Sequence, residues 1–207
     1  MFIFTDTGSD LPKEYYEEAN VIPFPLSVEI DGKTYQDVFE MDGPTLYEAI
    51  KNGAQPKTSQ VSPEAFLTAF EAAAKAGEES IYISFSGELS GTYSTAVMIR
   101  NQLLETYPDM KLHTVDTKCA SFGQGFVVKE AVRMRDEGKL VEEIVAGVEA
   151  LSSKMNHIFT VDDLNFLARG GRLSKTSALL GGVLNIKPIL RLQDGKLVPI
   201  EKIRGQK

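Results

Sequence analysis

The sequence predicts an α/β protein: an N-terminal domain with a mostly parallel sheet and flanking helices, followed by a C-terminal α+β domain. Strand-like and helix-like segments alternate through the first two thirds of the chain, which is typical of a parallel sheet covered by helices. After about residue 156 this alternation gives way to short helical segments and a β-hairpin. We therefore assign residues 1–155 to the first domain and residues 156–207 to the start of a second domain, which is incomplete in this sequence.

In the first domain, runs of β-branched and aromatic residues predict strands, and apolar residues at helical spacing predict helices. The strands are predicted at residues 2–5, 21–28, 80–84 and 111–116, and the helices at 10–18, 44–51, 63–76, 93–107, 123–137 and 141–152. Pro12 suits the first position of its helix, where a missing N–H costs nothing. Asp31-Gly32 is the favoured pair for a tight hairpin turn.

The second domain is predicted from fewer elements. They are a strand at residues 158–161, helices at 164–167 and 174–184, and strands at 187–192 and 196–202. Asp194-Gly195 separates the last two strands and indicates a β-hairpin. Because so few elements have little core of their own, we expect this part to lean on the first domain or to be completed by further chain.

Composition restricts the class of protein. The 207 residues are 43% hydrophobic and 25% charged, as in an ordinary globular protein. A net charge of −7 argues against sequence-independent binding to nucleic acid. No apolar run reaches transmembrane length, and the single cysteine, Cys119, excludes an internal disulfide. We therefore expect a cytoplasmic protein with no transmembrane segment, no nucleic acid partner, no metal and no cofactor.

Small hydroxyl side chains at a predicted strand-to-helix junction indicate an anion site. Ser90-Gly91-Thr92 follows strand 80–84 and precedes helix 93–107. The first N–H groups of a helix have no internal partner and favour negative charge, and glycine lets a ligand approach the backbone. A carboxylate or phosphate suits this position, although Ser90 could also serve only as a helix cap. A second hydroxyl-rich segment includes Thr58 and Ser59.

Catalytic groups are scarce. His113, His157 and Cys119 are interpreted as structural, and the sequence has no phosphate-binding loop or dinucleotide fingerprint. Asp6 and Asp10 follow the first strand at the edge where ligands bind in α/β sheets. They suggest either a metal or phosphoryl site or, as we favour, a turn and a cap.

Two arginines flank a glycine pair near the predicted domain boundary. Arg169 and Arg172 lie on either side of Gly170-Gly171 in an otherwise acidic protein. Their guanidinium groups suit recognition of phosphate or carboxylate. A solvated turn is an equally good interpretation of the same four residues.

Several short motifs occur in an order that resembles the DegV family of bacterial fatty-acid-binding proteins. This family includes the fatty-acid-carrying subunit of fatty acid kinase. The motifs, which span essentially the whole chain, lie at residues 5–12, 25–26, 58–60, 89–93, 166–172, 186–190 and 202–205. Members usually continue past the last of these motifs and carry a histidine motif near the head group, which is absent here.

The resemblance implies that one long-chain fatty acid lies between the two domains, with its carboxylate held by Thr58 and Ser90. The full set of implied ligand residues is Thr58, Ser59, Ser90, Gly91 and Thr92, and that of implied partner or phosphate residues is Arg169, Arg172 and Arg204. The implied partner is the catalytic subunit of fatty acid kinase, which converts the bound carboxylate to an acyl phosphate. The protein would then be a carrier and not an enzyme.

An acyl chain needs an apolar slot, and the predicted helix segment 178–184, with Gly181-Gly182, is a plausible wall. The alternative to the carrier is an enzyme acting on a small anionic, phosphorylated substrate. It would use Asp6, Asp10 and the helix N-terminus beside Ser90.

Overall fold

The computed structural model describes residues 1–161, 164–173 and 186–204. The strands are β1 Phe2–Asp6, β2 Val21–Phe24, β3 Ser27–Ile30, β4 Lys33–Gln36, β5 Lys57–Ser59, β6 Ser80–Ser84, β7 Leu112–Asp116, β8 Ile158–Thr160, β9 Ile186–Gln193 and β10 Lys196–Arg204. The helices are α1 Lys13–Glu18, α2 Gly43–Lys51, α3 Pro63–Ala76, α4 Thr92–Thr106, α5 Ser121–Asp136, α6 Val141–Ser152 and α7 Leu164–Arg169.

The main sheet has four strands in the order β2-β1-β6-β7, and all of its pairings are parallel. Its central strand β6 is buried along its whole length, as expected of a strand covered on both faces. The predicted α/β class with a parallel sheet is therefore confirmed. Because all four strands run the same way, their carboxyl ends meet at one edge, where ligands bind in folds of this kind.

One face of the main sheet carries an aromatic cluster and the other an aliphatic one. The aromatic rings, which pack 4.5–6.1 Å apart between centroids, belong to Phe4, Phe24, Phe66, Phe70 and Tyr82. The aliphatic cluster joins β1 and β6 to α5 and α6. Burying each large side chain contributes about 1.5–3 kcal/mol, so these clusters fix the sheet against its helices.

The single strand predicted at residues 21–28 is wrong, because the chain divides there between two sheets. β2 belongs to the main sheet, whereas β3 pairs antiparallel with β4 and β5 in a second sheet of order β4-β3-β5. Pro25 has no N–H to continue a ladder. The next N–H, that of Leu26, donates to Thr7 Oγ1 at 3.0 Å.

Several other predicted boundaries shift by a few residues. Helix α1 begins at Lys13, with Pro12 as its N-cap, and residues 7–9 form a 3₁₀ turn before it. Helix α5 begins at Ser121, two residues before the predicted start. The predicted hairpin turn at Asp31-Gly32 is confirmed, with φ angles of 51° and 76°.

The C-terminal residues form an antiparallel sheet in the order β10-β9-β8. Its hairpin turns at Asp194 and Gly195, as predicted, with φ angles of 50° and 82°. The predicted helix 174–184, with the proposed acyl wall inside it, lies outside the described residues. The domain boundary near residue 155 stays a prediction. It falls between the end of α6 and the start of β8.

Among the helices of the described segments, none combines the length and the apolar character needed to cross a bilayer.

Candidate functional site

The candidate site lies at the carboxyl edge of the main sheet, on the loop that joins β6 to α4. This loop turns tightly, because the N–H groups of Leu89 and Ser90 both donate to the Ser86 carbonyl, at 3.1 and 3.2 Å. Ser90 is half-buried and Thr92 is buried. The loop therefore delivers two hydroxyl groups to the start of α4, as the sequence predicts.

The hydroxyl groups of Ser90 and Thr92 lie 2.8 Å apart and can hydrogen-bond to each other. Ser90 Oγ also accepts the N–H of Thr92 at 3.2 Å, although the N-cap residue of α4 is Gly91. Ser90 thus performs part of the capping role considered in the sequence. Within the described segments, the N–H groups of Gly91 and Tyr93 meet no protein acceptor. Hydroxyl and amide donors at the positive end of a helix suit a carboxylate.

The segment that contains Thr58 reaches this helix end through Gln60. Strand β5 pairs with β3, placing Thr58 opposite Val28. One residue past the strand, Gln60 Nε2 donates to Thr95 Oγ1 of α4 at 2.8 Å. The structure thus brings the hydroxyl-rich segment that begins at Lys57 to the N-terminus of α4. In the described part of the chain, neither Thr58 nor Ser59 makes a side-chain hydrogen bond, and both are exposed.

Gly91 is in close contact with a side chain, and its backbone angles do not call for glycine. Its φ of −69° is open to any residue. A Cβ at this position would lie 2.1 Å from Gln60 Oε1, far inside contact distance. Gln60 ends the motif at residues 58–60, and the sequence alone does not indicate its contact with α4.

Asp6 also lies at the carboxyl edge of the main sheet, but it is buried and its hydrogen bonds all go to the surrounding protein. It has no exposed surface, and its carboxylate accepts hydrogen bonds from the Tyr82 hydroxyl at 2.7 Å and the Phe85 N–H at 2.9 Å. The Gly8 N–H and the Gln124 side-chain amide donate to its other oxygen, at 3.1 and 3.2 Å. Burial raises the pKa of Asp6, and these donors oppose the rise.

Asp10 points elsewhere, because its carboxylate accepts the hydroxyl of Ser121 at the start of α5. The two aspartates therefore do not meet at a shared site, as the alternative enzyme would require.

Among the described residues, no cluster of His, Cys, Asp and Glu side chains could hold a metal ion. Burial raises the pKa of the Cys119 thiol to about 11, in keeping with a packing role.

Arg172, one of the three predicted partner residues, reaches the loop. Its Nε donates to the Leu89 carbonyl at 3.0 Å, next to Ser90. Arg169 is exposed, with its guanidinium 5.5 Å from the centre of the Phe166 ring. Arg204 ends β10, and its side chain lies outside the described structure.

A cavity of about 280 Å³ opens near the hairpin turn, between β7, α6 and β9. Its lining is mostly polar and includes Asp116, Glu149, His157 and Asp194. It is therefore not the apolar slot that an acyl chain needs.

Exposed apolar surface occurs instead on α5, where Phe122 and Phe126 expose 69% and 59% of their area. Residues four apart on a helix share a face. The two rings therefore form one apolar strip near the carboxyl edge of the main sheet.

A parallel sheet whose carboxyl edge carries hydroxyl groups at a helix N-terminus is typical of α/β ligand-binding proteins. The comparisons give the family. A profile described as "Uncharacterised protein, DegV family" matches residues 1–207, and a DegV domain-containing protein of Clostridium perfringens is 41% identical over 208 residues. That match covers 99% of this chain and 72% of the relative. The chain belongs to the DegV family.

Solved structures agree with this assignment. The fatty-acid-binding DegV family protein of Thermus thermophilus is 33% identical, with a TM-score of 0.86 over 99% of this chain and 71% of that one. A stearic-acid-binding protein of Eubacterium ventriosum is 30% identical, with a TM-score of 0.90 over 100% of this chain and 72% of that one. Both are described as binding fatty acids.

Proposed function

We propose that this protein binds one long-chain fatty acid and holds its carboxylate at the N-terminus of α4. The proposed head-group residues are Thr58, Ser59, Ser90, Gly91 and Thr92. Similarity to DegV family structures that bind stearic acid and other fatty acids supports the ligand class.

The observation that carries the proposal is the set of donors at the start of α4. The N–H groups of Gly91 and Tyr93 meet no acceptor in the described part of the protein, and the Ser90 hydroxyl lies beside them. A carboxylate has two oxygens with several lone pairs, so it can accept from amides and hydroxyls together. Such charge-assisted bonds are about twice as strong as neutral ones.

The exposed rings of Phe122 and Phe126 support an apolar ligand. Each methylene buried against such surface contributes about 0.8 kcal/mol, so the acyl tail can supply most of the affinity. The carboxylate then sets the orientation of the chain. The additional wall predicted at residues 178–184 stays a prediction from sequence.

The finer proposal is that the bound carboxylate is presented to the catalytic subunit of fatty acid kinase, with Arg169, Arg172 and Arg204 serving the partner or the transferred phosphate. It depends on the family resemblance and on the contact between Arg172 and the loop before Ser90.

We propose a carrier and not an enzyme, because Asp6 is buried and fully hydrogen-bonded.

Native mass spectrometry of the protein purified from a bacterial host tests the ligand class. We expect a mass increase equal to one long-chain fatty acid, which organic extraction removes and added stearic acid restores. A protein that carries no fatty acid and takes up no stearic acid would contradict the proposal. Metal-dependent phosphatase activity that is lost in Asp6→Asn would favour the enzyme instead.

A further inference from the structure

Gln60 occupies an unusual position for a side chain at the end of an exposed strand. It crosses from β5 to α4, where Nε2 donates to Thr95 Oγ1 at 2.8 Å. Its Oε1 lies so close to Gly91 that a Cβ there would approach it to 2.1 Å. The carboxamide is thus bonded at one end and packed against the start of α4 at the other.

Strand β5 needs such an anchor, because it is short and lies at an edge. Its three residues are all exposed, and among the described strands it pairs on one side only, with β3. The sheet that contains it shares no strand with the main sheet. Val61, which is 1% exposed, buries the chain that follows β5 in the aromatic cluster. The burial of Val61 holds the segment against the hydrophobic core, and Gln60 adds a side-chain hydrogen bond from the segment to α4.

Gln60 lies two residues after Thr58, so its position affects the position of Thr58. Alternate residues of an extended segment point to the same side. From this alternation we expect the side chain of Thr58, two residues before Gln60, on the side of the segment that faces α4, the helix with Ser90 at its N-terminus. Any shift of Gln60 would therefore move Thr58 relative to Ser90.

We propose that Gln60 is the positioning residue of the head-group site, holding Thr58 at a fixed distance from Ser90 through its bond to Thr95. This inference deepens the proposed function and rests on it. Gln60 acts through the strand and not by contact with the ligand. Gly91 is then glycine because the carboxamide of Gln60 occupies the space of its side chain.

Thr95 offers a test that leaves the site residues intact. It is 7% exposed, and valine has nearly its shape without the hydroxyl. We expect Thr95→Val and Gln60→Met each to weaken binding of a fluorescent long-chain fatty acid about fivefold, the effect of losing one typical hydrogen bond. The double variant should bind no more weakly than either single one, because both remove the same bond. Thr95→Ser, which restores the hydroxyl, should bind within about twofold of the wild type.

Hydrogen exchange of the ligand-free protein gives a second measurement. We expect Thr95→Val to raise exchange at the amides of residues 57–61 and Thr95→Ser to leave it unchanged, with an equal melting temperature in both. If the wild type binds no fatty acid, the proposed function fails, but this exchange still decides whether Gln60 anchors β5. Unchanged exchange at residues 57–61 in Thr95→Val, or a Thr95→Ser variant as weak in binding as Thr95→Val, would overturn the proposal.

Discussion

Ser86, in the loop before α4, donates its hydroxyl hydrogen to the carbonyl of Gly195, 2.8 Å away at the tip of the β9–β10 hairpin. The two residues are 109 positions apart. Beside them, Lys196 forms an ion pair of 3.2 Å with Glu88 of the same loop. The C-terminal hairpin therefore contacts the loop that carries Ser90.

Ser90→Ala removes a hydroxyl donor from the proposed carboxylate site. A hydrogen bond to a charged group contributes about 1.5–3 kcal/mol, so affinity for a long-chain fatty acid should fall roughly tenfold to a hundredfold. Ser94→Ala is the matched control, because Ser94 lies on the same turn and donates to the Gly91 carbonyl. Titration with stearic acid measures both. Equal affinities in the two variants would remove Ser90 from the site.

Gly91→Ala places a methyl group where Gln60 now lies, 2.1 Å from Oε1. The carboxamide must move, so fatty acid binding should weaken about tenfold while the melting temperature changes little. Gly43→Ala, at the start of α2, is the control, since its Cβ would lie an ordinary 3.6 Å from the Tyr47 ring. Isothermal titration and thermal melts separate binding from folding. Wild-type binding by Gly91→Ala would show that the contact has no role in the site.

Arg172 and Arg169 are expected to differ. Arg172→Ala deletes the donor to the Leu89 carbonyl and should weaken fatty acid binding several-fold, because the loop before Ser90 loses a hydrogen bond. Arg169→Ala should leave binding unchanged. Both should lower acyl phosphate formation in an assay with a fatty acid kinase catalytic subunit and ATP. If Arg169→Ala supports wild-type phosphorylation, its proposed partner role fails.

His157 makes stability depend on pH. Its neutral Nε2 accepts the Ala120 N–H at the start of α5, and burial lowers its pKa from the ordinary value of 6.5. Below pH 6.5, His157 becomes protonated in the unfolded chain while it stays largely neutral in the folded chain. The free energy of unfolding should therefore fall as pH decreases from 6.5 toward the lowered pKa. Above pH 6.5 this contribution is fully present.

Urea denaturation between pH 8 and pH 5 measures the effect, with His157→Gln as the comparison. Asp116, Lys118, Glu149 and Asp194 line the same cavity, and they remain unchanged in that variant. The slope of stability against pH near 6 should be smaller in His157→Gln. Identical slopes in the two proteins would assign the pH dependence to other groups.

Tyr82→Phe removes the hydroxyl that donates to the buried Asp6 carboxylate at 2.7 Å. A buried charge that loses a donor should cost about 1.5–3 kcal/mol in the free energy of unfolding. Tyr107→Phe is the control, because that hydroxyl donates to the solvent-accessible side chain of Glu71, and its loss should cost less than the loss of the Tyr82 hydroxyl. Chemical denaturation compares the two. A Tyr82→Phe protein as stable as Tyr107→Phe would show that the remaining donors suffice for Asp6.

Local patterns allowed much of the fold to be predicted. The predicted bounds of α3, α6 and β6 agree with the structure, because each has a periodic apolar pattern with clear ends. The prediction failed where tertiary pairing decides the outcome. A strand over residues 21–28 has suitable residue types throughout, but its two halves join different sheets.

The candidate site was predictable in part. Ser90 and Thr92 could be found because a strand-to-helix junction is visible within a few residues. Gln60 could not, because its partner Thr95 is 35 positions away and no periodicity relates the two. Arg172 likewise meets Leu89 across 83 positions, so sequence indicated its chemistry but not its neighbour.

The position of β1 in the middle of the main sheet affects how the protein is made. Thr5 of β1 donates to the carbonyl of Ile83 in β6, which is 78 positions later. During synthesis the first strand leaves the ribosome long before its second neighbour exists, and it holds Phe2, Ile3 and Phe4 without their final cover. The main sheet can therefore close only after about half the chain has emerged. Until then, we expect β1 to be an exposed hydrophobic segment of the kind that chaperones recognise.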